Sequence, residues 1–84
     1  MNIKQTKIRI KHKAEFEMIQ RRLFDMGCIW GGDDKPRLFK MMAPYLYIDN
    51  YLTITLSRRD YAFFNNHINK EIKVNDLISH VREF

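Results

Sequence analysis

The spacing of apolar residues changes several times along the chain, and each change predicts a new element. At the start, TKIRIKHK alternates strictly: Ile8 and Ile10 fall on one side, with Ile3 near the entrance, and Lys7, Arg9 and Lys11 fall on the other. A period of two, with one apolar and one charged side, predicts a half-buried strand. Lysine on its outer side would also guard a sheet edge against unwanted pairing. From Ala14 the period lengthens. Phe16, Ile19, Leu23 and Met26 follow at spacings of three and four, which places them on one helical face. Glu15, Glu17, Gln20, Arg21 and Arg22 fall largely on the other. The acids come early and the arginines late, as the helix dipole prefers, and Gly27 supplies a left-handed stop.

Cys28, Ile29 and Trp30 read as a second strand, and GGDDKP after it reads as a turn. The glycines permit positive φ, the aspartates bond their own backbone, and Pro36 blocks strand pairing. RLFKMMAP is loop or irregular strand. In YLYIDNYLTITLS, Leu46 and Ile48 share one face, as do Leu52, Ile54 and Leu56. That predicts a hairpin about Asp49 and Asn50. RRDYAFFNNHINK connects onward with one helical turn led by Asp60 as N-cap. KEIKV is a short strand with Ile72 and Val74 inward. NDLISHVREF is a closing helix capped by Asn75 or Asp76, its buried side made by Leu77, Ile78 and Val81. Mixed strands and helices without regular βαβ alternation predict an α+β fold: a small, mostly antiparallel sheet with two helices packed on one face.

The chain of 84 residues is 45% hydrophobic and 13% aromatic, which predicts one ordered domain over residues 1–84 with a small core. Dimerisation would supply missing burial, with Tyr45, Tyr47 and Phe84 as candidate contact surface. Fifteen Lys and Arg against ten Asp and Glu give a net charge of +5, which favours acidic partners such as nucleic acid or an acidic protein face. Cys28 is the lone cysteine, so neither an internal disulfide nor a Cys-based zinc site is available, and a reducing cytoplasm fits. No apolar run is long enough for a signal peptide or a membrane span.

Candidate chemistry is sparse. A phosphate-cradling loop needs spaced glycines feeding a helix N-terminus, whereas Gly31 and Gly32 precede two aspartates that would repel an anion. Asp33 and Asp34 could hold a divalent metal with Asp49 or Asp60, but spacing fixes no third ligand. Glu71 and Lys73 share a strand face, as in metal-dependent nucleases, and equally as in an ordinary solvent face. His12, His67 and His80 are scattered, and Cys28 has no base placed beside it. No catalytic residue, metal or cofactor is therefore assigned. The basic residues make the better case: Lys7, Arg9 and Lys11 in one row, Arg21 and Arg22 on a helix, Lys35, Arg37 and Lys40 in a loop, and Arg58 and Arg59 after a strand. Tyrosines at 45, 47, 51 and 61 lie among them and could stack unpaired bases; Tyr45 and Tyr47 could instead meet a partner subunit. Lys7, Arg9, Lys11, Lys35, Arg37, Arg58 and Arg59 are the candidate nucleic-acid contacts, with RNA favoured because no major-groove reading helix is evident.

The succession MGCIWGGDDKP, YLYIDNYLTITLS and FFNNHINKEIKVNDLI resembles small accessory and counter-defence proteins of T4-like tailed bacteriophages, over residues 16–81. That resemblance implies a homodimer in the host cytoplasm that engages RNA and blocks a host toxin or its RNA–protein complex, and it carries over no catalytic residue. A purely protein-binding inhibitor without nucleic-acid contact is the alternative, with a small metal-dependent nuclease behind it.

Overall fold

A computed structural model describes residues 2–81, with side chains through 77. The elements are β1 (Thr6–Arg9), α1 (Lys13–Asp25), β2 (Ile29–Trp30), β3 (Tyr45–Ile48), β4 (Thr53–Ser57), α2 (Tyr61–Asn66), β5 (Lys70–Ile72) and α3 (Val74–Val81). The fold is α+β, as the spacing predicts. Five strands lie in the order β2-β4-β3-β1-β5. The antiparallel pairs β1–β3 and β3–β4 form the centre, and β5 and β2 add parallel edges. Thus β1 is an interior strand, not an edge, and its lysines guard nothing.

Register explains the core. Ile72, Ile8, Leu46 and Leu56 form one row across the sheet, and Thr6, Ile48, Ile54 and Trp30 form the next. Both rows face the helix layer, where Phe16, Ile19 and Leu23 of α1 and Leu77 of α3 are fully buried against them. Ile78 and Val81 have side chains outside the described residues.

Local chemistry sets the ends of α1. His12 is its N-cap: Nδ1 accepts from the Glu15 N–H at 3.2 Å, while Glu15 Oε1 accepts from the Lys11 N–H at 2.9 Å. This is a variant of the capping box, with histidine in the place of Ser or Thr and the return bond taken by the residue before the cap. At the other end Gly27, at φ +95°, donates to Phe24 O and Cys28 donates to Leu23 O, which is the Schellman arrangement. The MGCIWGGDDKP stretch is thus a helix stop, a two-residue strand and a turn. Asp33 N–H closes that turn on Trp30 O at 3.1 Å, with Gly32 at φ +89°.

Gln20, expected on the outer face of α1, is fully buried. Its Oε1 accepts from Trp30 Nε1 at 2.9 Å and Phe39 N at 2.7 Å, and its Nε2 donates to Phe39 O at 2.9 Å. One amide therefore holds the irregular 31–44 segment as a neighbouring strand would. The hairpin loop spans 49–52, wider than a turn at Asp49 and Asn50. Asp49 Oδ1 accepts from the N–H groups of Tyr51 and Thr53 at 2.8 and 2.9 Å, and Leu52 takes φ +62°. Strand β5 stops at Ile72, and Val74 already belongs to α3, so Asn75 and Asp76 sit in the first turn of that helix and not at its cap.

Candidate nucleic-acid interface

The opposite face of the sheet carries the row Lys7, Tyr47 and Thr55 beside the row Arg9, Tyr45 and Ser57. Alternation alone predicts solvent there. Instead α2 lies across it, capped by Asp60, whose Oδ1 accepts from the Phe63 N–H at 3.0 Å. Phe64 stacks on Tyr45 with centroids 4.7 Å apart, and Phe63 meets Tyr47 edge-on. Tyr45 and Tyr47 are consequently only 8% and 7% exposed, and neither can stack a base or meet a second subunit. Of the surface expected to drive dimerisation, Phe84 lies outside the described residues. The hydroxyl of Tyr47 is buried without a hydrogen bond of standard geometry. Burial raises its pKa, and the nearby Ser57 hydroxyl offsets part of that rise.

Lys7 is the second correction. It is 6% exposed, and its ammonium donates to the carbonyls of Phe64, Asn65 and His67 while lying 4.7 Å from the Phe64 ring centroid. Three donors meet three carbonyls at the C-terminal end of α2, where a cation is favoured. Lys7 is a structural clamp and leaves the set of candidate contacts.

The other six candidates are exposed. Arg9 lies over the Tyr61 ring, 4.8 Å from its centroid, and Arg59 lies over Phe63 at 4.4 Å. Arg58 Nη2 donates to Met41 O at 3.1 Å, which ties the strand exit to the 31–44 segment bearing Lys35 and Arg37. Arg9 and Lys11 line a cleft of about 290 Å³ with Glu15, Glu71 and Lys73 at the ends of β1 and β5. Both acids there are engaged. Glu71 pairs with Lys73 at 3.1 Å, and Glu15 caps α1. A second, more open cleft of about 420 Å³ is lined by Arg59, Asp60, Ala62, Phe63, Asn66 and His67.

Phe63 is not marked by spacing as part of a binding surface, and Lys73 is marked only as the strand-face companion of Glu71. The signal for Phe63 is RRDYAFF itself, an N-cap aspartate followed by aromatics behind two arginines. Among the described residues no three His, Cys, Asp or Glu side chains gather as a metal site would require. Asp49 and Asp60 each bond backbone N–H groups, and His67 Nδ1 accepts from the Asn69 N–H at 3.2 Å. Cys28 is buried beneath α1, and burial, helped by the Asp49 carboxylate, pushes its thiol up to about 11, so it is a poor nucleophile.

No family model, curated protein or solved structure matches the chain. Among the described residues no helix is long and apolar enough to cross a membrane. What the surface binds must therefore be argued from its chemistry.

Proposed function

We propose that the protein is a non-catalytic RNA-binding factor that blocks a host toxin or its RNA–protein complex, the role implied by the resemblance to counter-defence proteins. The observation that supports RNA contact is the state of the cations. Arg9, Lys11, Lys35, Arg37, Arg58 and Arg59 are all exposed, and among the described residues none of them is in a salt bridge. Cations left without carboxylate partners on a chain of net charge +5 make a surface of positive potential. Phosphate is the partner that such a surface takes with the least geometric demand, because contact and counterion release need no fixed register.

Binding to a short unstructured RNA, measured across a salt series, tests this. Each phosphate contact should contribute about −0.7 to the log–log slope. Lys11→Glu and Arg58→Glu should each weaken binding and flatten that slope while leaving the fold intact, since exposed charges contribute little to stability. RNA binding that is negligible at physiological salt would overturn the reading. Toxin inhibition lost on charge reversal, with RNA affinity unchanged, would move the partner to an acidic protein surface.

A further inference from the structure

We infer that Arg9 and Arg59 are stacking platforms for unpaired bases, so that the RNA engaged is single-stranded and opened around α2. This inference rests on the RNA reading above and adds which form of RNA the surface takes.

Each guanidinium lies over an aromatic ring, Arg9 on Tyr61 and Arg59 on Phe63. The ring supports the guanidinium from one side, and both arginines are exposed to solvent. A planar, delocalised cation supported in this way offers a base a flat partner with little ordering cost at the moment of binding. The rings are themselves fixed from behind. Phe63 meets Tyr47 edge-on, and Tyr61 lies 6.2 Å from the buried Phe64. Phe63 is therefore anchored on the sheet beneath α2, and Tyr61, itself half exposed, is held against Phe64 of its own helix.

Their placement argues for an open strand. Tyr61 and Phe63 are two positions apart, about 200° around a helix, so the platforms flank α2 on opposite sides. A helix with its side chains is about 10 Å across. Stacked neighbours in a strand rise about 3.4 Å. Bases on the two platforms cannot be stacked neighbours, and a paired duplex cannot present them. The clefts sort in the same way. Arg59 is the single cation lining its cleft, with the Asn66 amide and His67 ring beside it and the Asp60 carboxylate occupied by the Phe63 N–H, which suits a base and its edge better than a phosphate. Beside Arg9, Lys11 adds charge for the backbone, while Lys73 is paired with Glu71.

The decisive variant is Arg59→Lys, which keeps the charge and removes the plane. Affinities of wild type and variant would be measured for an unstructured RNA 12-mer and for an RNA duplex of equal length, each across a salt series. Loss of one stacked base corresponds to about 5- to 150-fold weaker single-strand binding. The salt slope should be unchanged, as should duplex affinity. Equal affinity of variant and wild type for the single strand, with Arg59→Glu still impaired, would overturn the platforms and leave phosphate contact standing. Absence of binding by the wild type to either RNA would overturn both readings. Unchanged melting of Arg59→Lys would show that a loss is not one of folding.

Discussion

Beneath α1 and α3 the sheet presents mainly aliphatic side chains in two cross-strand rows; beneath α2 it presents two tyrosines, a lysine and an arginine. Both faces are covered, but by different physics. Burial of Ile8, Leu46 and Ile54 is non-directional and tolerates small shifts of the helices. The α2 face is directional. The Lys7 ammonium must find the carbonyls of Phe64, Asn65 and His67 together, or it is left buried without partners. A cover that depends on one clamp and a few rings docks in one position or not at all. That rigidity is what the arginines stacked at its flanks require.

The largest effects should separate the faces most clearly. Phe16 and Phe64 are both fully buried, one in each cluster. Phe16→Ala should cost about 3–5 kcal/mol in global unfolding. Phe64→Ala should cost less in global unfolding, because a six-residue helix cannot persist undocked and its release caps the loss. Amide exchange would show this as protection lost across residues 61–67 while α1 stays protected. Equal losses with uniform exchange would mean that the two faces form one cooperative unit.

Alkaline pH sharpens the contrast, since each face buries a weak acid held above its ordinary pKa. Cys28 lies under α1 with its pKa raised from 9.0 to about 11, and Tyr47 lies under α2 with its pKa raised by burial. For a raised pKa the unfolded chain loses its proton first, so stability is constant below the unfolded value and falls as pH rises towards the folded one. Cys28 should contribute a loss of about 2–3 kcal/mol between pH 9 and 11. Denaturation midpoints of Cys28→Ala should be flatter across that window, and Tyr47→Phe should flatten only the part above pH 10. An unaltered slope in Cys28→Ala would show that the thiol already ionises in the folded state.

The same division decides what the sequence made legible. Period two in KIRI and LYI, and spacings of three and four in Phe16, Ile19 and Leu23, identify one apolar face and the helix that covers it. Gly27 marks the end of that helix by its conformation, and Asp60 marks the start of α2 by capping. On the other face the alternate residues are Lys, Arg and Tyr, which can be solvated or buried according to what lies above them. Their burial follows from α2, and α2 is too short for periodicity to reveal. Gln20 escapes the spacing pattern for a related reason, because an amide in a helix looks outward until a segment without regular structure supplies its partners. Of the candidate contacts, residue type correctly placed Arg9 and Arg59 at the surface, but the rings beneath them come only from the fold.

The smallest expected effect concerns the caps. His12 begins a helix of thirteen residues anchored by the aliphatic core, whereas Asp60 begins one of six. Removing an N-cap acceptor costs about 1 kcal/mol in either place, and Asn in place of Asp retains most of it. In α1 that loss is set against three fully buried apolar side chains, Phe16, Ile19 and Leu23; in α2 it is set against Phe64 alone. Asp60→Ala should therefore fray the start of α2 with little change in global midpoint. The Phe63 amide, bonded to Asp60 Oδ1, would exchange about five-fold faster for each kcal/mol lost, and Asp60→Asn would restore its protection. His12→Ala should leave the middle of α1 protected. Because Phe63 supports Arg59, fraying in Asp60→Ala should also weaken single-strand RNA binding relative to Asp60→Asn, which removes the same charge from the cleft but keeps the cap. Unchanged Phe63 exchange in that variant would show that docking on Tyr47 and Tyr45 holds α2 without its cap, and the α2 face would then be as tolerant as the aliphatic one.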